Sequence, residues 1–209
     1  LTFGSLEIGQ ESAPGQIPAS TLKNIYRVND KRQNFKVYGV IGYPVSKSMG
    51  YLIHNRAFRE IGSPDIYVSF LVDNVEKFFI AFKVFFSGLS VTMPAKETIM
   101  PLLDKVDTTA QSIGAVNTVV QEDGKWVGYN TDCSGAIAAL EASTSLKDKN
   151  ILILGSGGTA KAIGYGIKEK GGKLTVTYNR NKERGESLAK ELGCELVHCR
   201  DAGTQAIDI

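Results

Sequence analysis

A short apolar run that leads directly into a glycine-rich turn constrains the fold of this chain more than any other feature. The run, Ile151–Leu154, is typical of a fully buried parallel strand, and the turn after it follows the pattern G-x-G-x-x-A. In this pattern Gly155 permits the tight turn, Gly157 lets the backbone approach a pyrophosphate, and Ala160 lets helix and strand pack closely. The sequence therefore predicts a dinucleotide site at a helix N-terminus. Its expected residues are Gly155, Ser156, Gly157, Gly158, Thr159 and Ala160.

The residues after the next predicted strand indicate which dinucleotide is bound. A protein that binds NAD places a carboxylate near the end of that strand, where it holds the ribose diol. Here the strand ends at Tyr178 and no carboxylate follows in residues 179–182, whereas Arg180 can bind a phosphate through two parallel hydrogen bonds. We therefore expect NADP, held by Asn179, Arg180 and Lys182. The alternative is a turn that leads into a solvated, basic helix start.

Strands alternate with helices along most of the chain, which predicts an α/β fold with parallel sheets. Phe35–Ile41 opens one such series, and a second opens at Asn150. Between them, Asp123-Gly124 separates two short β-rich runs and is a strong hairpin signal. A helix is predicted over residues 134–142.

Composition excludes several classes of protein. The chain of 209 residues has 24 Lys and Arg against 22 Asp and Glu, a balance too even to indicate nucleic acid or an anionic membrane as the main partner. It contains no apolar run of about 18 residues, which a membrane-spanning helix would need. Its cysteines, Cys133, Cys194 and Cys199, lack metal-ligand spacing, and we expect no metal site.

Polar residues concentrate in four loops that follow or flank predicted strands. In open α/β sheets ligands bind at the carboxyl ends of the strands, so these loops are the expected substrate site. Within them, Lys96 and Asp132 are the candidate catalytic pair. Taken singly, such a lysine is more often a solvated charge, and an aspartate after Asn-Thr is more often a helix cap. The loops are residues 44–48, 90–97, 114–118 and 128–132.

Three of these loops carry ordered motifs. They are Val-Thr-Met-Pro-Ala-Lys at 91–96, Gly-Ala-Val-Asn-Thr at 114–118 and Gly-Tyr-Asn-Thr-Asp-Cys-Ser-Gly at 128–135. Together with the glycine turn, they resemble the shikimate dehydrogenase family. The resemblance implies a three-layer, mostly parallel substrate-binding catalytic domain at residues 35–132. An incomplete Rossmann NADP-binding domain would follow at residues 133–209.

The resemblance also implies a reaction and its residues. The family reduces 3-dehydroshikimate reversibly to shikimate with NADPH, a step in the synthesis of chorismate and aromatic amino acids. Lys96 and Asp132 would be the acid–base pair at the reacting oxygen. The substrate-binding residues would be Ser46, Ser48, Thr92, Asn117 and Asp132.

The serine loop departs from the family pattern. An alignment without a gap places Ser48 at the first serine of the family and Gly50 at the second, whereas a shifted alignment uses Ser46 and Ser48. The missing second hydroxyl resembles relatives that accept quinate, while Thr92 resembles relatives that prefer shikimate. A quinate dehydrogenase therefore stays an alternative.

The N-terminal residues resemble a different family. Ser12-Ala13-Pro14-Gly15-Gln16 is similar to the loop that closes over substrate in type I 3-dehydroquinate dehydratases. Residues 1–29 would then be the C-terminal remnant of such a barrel, and residues 30–34 a linker. This order resembles bifunctional plant enzymes, so we expect a covalently fused dehydroquinase domain upstream. The location would be the chloroplast for a plant protein and the cytoplasm otherwise. On this interpretation the chain is a fragment, and a truncated, non-catalytic nucleotide-binding piece is the remaining alternative.

Overall fold

The alternation of strands and helices that the sequence predicts is present, and the α/β class with mostly parallel strands is confirmed. The computed structural model describes residues 4–5, 16–30 and 34–209. The chain forms two units. The first comprises Leu1–Asp104 and Val119–Trp126, and the second comprises Lys105–Thr118 and Val127–Ile209. The predicted linear division at residue 132 stays a prediction.

The first unit begins with a short parallel strand pair and continues as a β-α-β series. Its elements are β1 (Gly4–Ser5), β2 (Ile17–Pro18), α1 (Ala19–Asn24), β3 (Val37–Gly42), α2 (Gly50–Glu60), β4 (Ile66–Leu71), α3 (Val75–Phe82), β5 (Gly88–Val91) and α4 (Ala95–Thr98). Short 3-10 helices follow α3 at Lys83–Phe85 and α4 at Met100–Leu102.

Strand β3 is an interior strand of the first unit's sheet, next to the edge strand β4. It pairs in parallel with β4 on one side, with Val37 opposite Ile66, and with β5 on the other, with Tyr38 opposite Gly88. Such central strands are apolar because both faces of the sheet are covered. Ile41 is accordingly fully buried, and Phe79 of α3 packs edge-on against the Trp126 ring at 5.3 Å.

The predicted hairpin is present. A two-residue strand, β6 (Lys105–Val106), precedes it, and its own strands are β7 (Thr118–Glu122) and β8 (Lys125–Tyr129). The turn residues Asp123 and Gly124 have φ angles of 48° and 76°, as a tight two-residue turn requires. Residues 119–126 of the hairpin belong to the first unit, where β7 follows β5 in the sheet. The remaining hairpin residues belong to the second unit.

The second unit contains a three-stranded parallel sheet in the order β11-β10-β9. Its elements are β6 and the end of β8, α5 (Thr108–Ile113), α6 (Thr131–Glu141), β9 (Asn150–Ile153), α7 (Gly158–Glu169), β10 (Lys173–Tyr178), α8 (Lys182–Leu192) and β11 (Glu195–His198). A 3-10 helix, Cys199–Thr204, follows β11.

The core of the second unit depends on close approach between helices. Val176 of β10 and Ile167 of α7 are both buried in this core. A Cβ at Gly166 of α7 would lie 2.4 Å from Ile137 Cγ1 and 2.9 Å from Cys133 Sγ, so glycine is what lets α6 and α7 meet. None of the helices in the described part of the chain has the length and apolarity needed to cross a bilayer.

Candidate functional site

The predicted glycine turn lies between β9 and the N-terminus of helix α7. Gly155 has a φ of 119°, and its N–H donates to Thr177 Oγ1 at 2.8 Å, which ties the turn to β10. Helix α7 begins at Gly158, with Gly157 as its cap residue, and its described first turn contains no acidic side chain. The first N–H groups of a helix have no intrahelical acceptor and carry a partial positive charge. The turn therefore fits an anionic phosphate group.

The three residues predicted to select NADP follow β10 at the same edge of the sheet as this turn. Because β9 and β10 are parallel, their carboxyl ends lie side by side. Asn179, Arg180 and Lys182 are all exposed there. Lys182 Nζ lies 3.5 Å from Glu186 Oε1, and an exposed pair of this kind contributes little. Their contact with NADP stays a prediction.

Asn117 is the centre of a polar cluster in the second unit. It is 9% exposed, and its Nδ2 donates to Asp132 Oδ1 at 2.7 Å and to Thr131 Oγ1 at 3.0 Å. Its Oδ1 accepts from the Thr131 N–H at 2.9 Å and from Thr118 Oγ1 at 2.9 Å. Two of the predicted site residues, Asn117 and Asp132, are thus in direct contact.

The local fold of α6 explains why Asp132 is placed beside Asn117. The helix begins at Thr131, three residues before the predicted start at residue 134, because Asn130 caps it by accepting from the Cys133 N–H at 3.3 Å. The interpretation of Asp132 as the cap residue is therefore wrong, and Asp132 lies in the first turn. Asn130 Nδ2 also donates to the Ala115 carbonyl at 2.9 Å, which joins the two motif loops.

In the first unit, the loops after β3 and β5 are joined by their backbones. The Tyr43 N–H donates to the Met93 carbonyl at 2.9 Å, and the Thr92 N–H donates to the Ile41 carbonyl at 2.9 Å. Thr92 is half-buried at this edge, and its carbonyl accepts from the Ala95 N–H at 3.0 Å, which starts α4. Lys96, the next residue, is half-buried in that helix.

The two serines of the first loop differ in their surroundings. Ser46 is exposed, whereas Ser48 is half-buried and its Oγ accepts from the Gly50 N–H at 3.3 Å. A Cβ at Gly50 would lie 3.3 Å from Ser48 Oγ and 3.4 Å from Tyr67 Oη. The side-chain position that Gly50 leaves empty is therefore bordered by two hydroxyl groups.

Tyr67 is a candidate site residue that sequence reasoning missed. It is 5% exposed in β4, its hydroxyl is hydrogen-bonded to Ser90, and the His54 ring stacks on it at 4.2 Å. Burial raises the pKa of Tyr67, and the hydrogen bond to Ser90 opposes that rise. The available signal was a tyrosine within an apolar strand, since a buried hydroxyl needs a hydrogen-bond partner.

The predicted catalytic residues belong to different units, Lys96 to the first and Asp132 to the second. Their meeting around a substrate stays a prediction. Among the residues that the structure describes, no group of three or more His, Cys, Asp or Glu side chains could hold a metal ion. Ser12 of the predicted dehydroquinase loop, and residues 31–33 of the predicted linker, lie outside the described residues.

Fold and site together define an α/β protein that carries a dinucleotide-type glycine turn in its second unit and polar loops at strand ends in both units. Residues 40–119 match the family described as the shikimate dehydrogenase substrate binding domain. Residues 137–205 match the family described as shikimate / quinate 5-dehydrogenase. Both matches concern one group of proteins, and the chain belongs to the shikimate dehydrogenase family.

Individual relatives agree with this assignment. The chain is 40% identical, over 96% of its length, to a chloroplastic bifunctional 3-dehydroquinate dehydratase/shikimate dehydrogenase of Arabidopsis thaliana, of which it covers 36%. The crystal structure of shikimate dehydrogenase from Aquifex aeolicus matches with a TM-score of 0.75 at 39% identity, over 81% of this chain and 65% of that one. Shikimate 5-dehydrogenase from Thermus thermophilus, solved in complex with NADP(H) and shikimate, matches with a TM-score of 0.70 at 33% identity, over 80% of this chain and 64% of that one. The chain thus spans less than two thirds of the length of each of these relatives.

Proposed function

We propose that this chain is the shikimate dehydrogenase part of a longer protein and takes part in the NADPH-dependent, reversible reduction of 3-dehydroshikimate to shikimate. The observation that carries this proposal is the contact between Asn117 and Asp132, which brings two separate family motifs together at 2.7 Å. The solved relative that holds both NADP(H) and shikimate supports the same substrate and cofactor.

In this reaction the bound NADPH supplies a hydride to the ketone carbon, and the ketone oxygen takes up a proton. Lys96 is the proposed proton donor to that oxygen, because an ammonium group supplies both a proton and a positive charge to a developing alkoxide. Asp132 is proposed to accept a hydrogen bond from a substrate hydroxyl and to orient Lys96. Asn117 holds the Asp132 carboxylate in one position, so that less reorganisation is needed during the reaction.

The polar groups of the first unit suit the rest of the substrate. Thr92 is proposed to bind a ring hydroxyl, and Ser48 to bind the substrate carboxylate. Tyr67 Oη lies beside the empty side-chain position of Gly50 and is proposed as the second hydroxyl for the carboxylate. Ser46 is exposed and contributes less in this arrangement.

Kinetics of the natural full-length polypeptide test the proposal. Wild-type protein is expected to oxidise shikimate with NADP⁺, measured as the appearance of NADPH absorbance, faster than quinate and faster than with NAD⁺. Lys96→Ala is expected to lower kcat by about 10²- to 10⁴-fold, the usual contribution of general acid catalysis. Lys105→Ala, which removes an exposed strand lysine, is the matched control and leaves kcat unchanged. Full activity of Lys96→Ala refutes the assigned role, and the absence of shikimate oxidation by wild type refutes the function.

The choice of NADP over NAD has its own test. Arg180→Ser is expected to raise KM for NADP⁺ by about tenfold or more, because a charged hydrogen bond to phosphate contributes about 1.5–3 kcal/mol. KM for NAD⁺ stays unchanged. Lys190→Ala removes a basic side chain near the other end of α8 and is the control. An equal change in both KM values shows that Arg180 does not contact the 2′-phosphate.

We also propose that a dehydroquinase domain is fused upstream of residue 30, as in the Arabidopsis relative, whose similarity to this chain extends over 96% of it. The full-length polypeptide would then dehydrate 3-dehydroquinate as well as oxidise shikimate. If the source is a plant, we propose a chloroplast location for the full-length polypeptide, because the Arabidopsis relative is named as chloroplastic. Absence of dehydratase activity in the full-length polypeptide refutes the fusion, and imaging of a tagged full-length protein tests the location.

A further inference from the structure

The segment that precedes β3 is bound to helix α2 by two arginines. Arg59 of α2 donates to the Asn24 carbonyl at the end of α1. Arg27 donates to the Ser63 carbonyl, just beyond α2, at 3.1 Å. Both bonds join the N-terminal segment to the C-terminal end of α2, so this end of the helix has a fixed position relative to α1.

Tyr26 extends this contact to the other end of the same helix. It is 9% exposed, and its ring packs against the Tyr51 ring with centroids 6.3 Å apart. Burial, and secondarily Tyr51, raise the pKa of Tyr26 to about 12. Tyr51 is the second residue of α2 and directly follows Gly50. Tyr26 therefore supports the helix turn that leads out of the serine loop.

Asn55 connects that turn to β4. It is 4% exposed, and its Nδ2 donates to the carbonyls of Tyr51 and Tyr67, at 2.7 Å each. Its Oδ1 accepts from the Tyr67 N–H at 3.1 Å. The first turn of α2 is thus held by Tyr26 on one side and by β4 on the other. Ser48 and the empty side-chain position of Gly50 lie immediately before this turn.

We propose that Tyr26 is a positioning residue for substrate binding, which acts through Tyr51 to hold Ser48 beside Tyr67. The inference rests on the proposed function, because Ser48 and Tyr67 are taken there as the carboxylate-binding groups. It assigns to the segment before β3 a role in the proposed substrate site.

Steady-state kinetics of the natural full-length polypeptide separate positioning from general stability. Tyr26→Ala is expected to raise KM for shikimate by about three- to tenfold, because it removes an aromatic ring contact whose stabilisation corresponds to a factor of that size. The values of kcat and of KM for NADP⁺ are expected to stay unchanged. Tyr26→Phe keeps the ring and is expected to restore the wild-type KM. Tyr38→Ala is the matched control, since it removes the Tyr38–Phe58 ring pair at the far end of α2, at 5.7 Å, and leaves KM unchanged.

The outcomes distinguish this inference from the proposed function. Wild-type protein without shikimate oxidation refutes the proposed function. An active wild type with an unchanged KM in Tyr26→Ala, or with the same rise in Tyr38→Ala, refutes the role of Tyr26 alone. If Tyr26→Ala does not accumulate as folded protein, Tyr26→Leu, which keeps the apolar burial but not the ring, takes its place with the same expected rise in KM.

Discussion

Replacing Asn117 by alanine removes the amide that holds Asp132 and Thr131 in place. Two of its side-chain hydrogen bonds join Asp132 Oδ1 at 2.7 Å and the Thr131 N–H at 2.9 Å. A hydrogen bond to a charged group contributes about 1.5–3 kcal/mol, and a donor left without its acceptor adds to the loss. We expect the free energy of unfolding to fall by about 2–4 kcal/mol. We expect kcat/KM for shikimate to fall by about 10- to 150-fold, the equivalent of the charged bond alone.

The assay combines urea unfolding with initial rates of shikimate oxidation, both on the natural full-length polypeptide. Asn74→Ala is the control, because Asn74 caps α3 by accepting from the Lys77 N–H at 2.9 Å and lies outside the candidate site. It is expected to cost about 1 kcal/mol of stability and to leave kcat/KM unchanged. A folded Asn117→Ala protein whose kcat/KM stays within about twofold of wild type would contradict the proposed role of Asn117 in holding Asp132 in position during the reaction.

Three further predictions concern packing and titration. Gly166→Ala places a Cβ 2.4 Å from the Ile137 side chain and is expected to lower the free energy of unfolding by about 1–3 kcal/mol. The control is Gly135→Ala on α6, where a Cβ would meet nothing within 4 Å, and its effect is expected to be neutral or slightly stabilising. Thermal unfolding of both variants measures the difference. Because burial raises the pKa of Cys133, its alkylation by iodoacetamide near neutral pH is expected to be slower than that of the half-buried Cys199, and mass spectrometry of the labelled peptides gives both rates. Tyr26 ionises near pH 10 in the unfolded chain and near pH 12 in the folded protein, so its contribution to stability is present below pH 10 and is lost as the pH rises toward 12. In Tyr26→Phe the loss of unfolding free energy between about pH 9 and about pH 11 should therefore be smaller, and an equal loss in both proteins would contradict the assignment.

Local patterns carried most of what could be predicted from the sequence. The glycine turn depends on a backbone conformation that only a few residues near Gly155 determine, and the hairpin depends in the same way on Asp123-Gly124. The family resemblance implied that Asn117 and Asp132 serve the same substrate site, but their hydrogen bond was not predicted. The two residues belong to different motifs, and no local pattern joins them. The start of α6 was misplaced because three possible cap residues, Asn130, Thr131 and Asp132, stand together, and only the structure shows which side chain accepts the N–H.

Contacts between distant segments could not be predicted. The two-residue strand β6 is too short to show a period, and it exists because Lys105 and Val106 pair with the end of β8. From the sequence, Tyr67 is interpreted only as part of a strand. Its candidate role in the site depends on its closeness to Gly50, which has no side chain. The ring contact between Tyr26 and Tyr51 likewise depends on how the N-terminal segment folds back on α2.

The division of the hairpin between the units has a consequence for synthesis. Residues 119–126 complete the first unit, yet they are translated after residues 105–118, which belong to the second. When residues 1–104 have left the ribosome, the first unit therefore still lacks residues 119–126. The position beside β5 in its sheet stays empty until β7 has been synthesised. No single proteolytic cut can release either unit intact, so the two are expected to reach their native states in close succession rather than strictly one after the other.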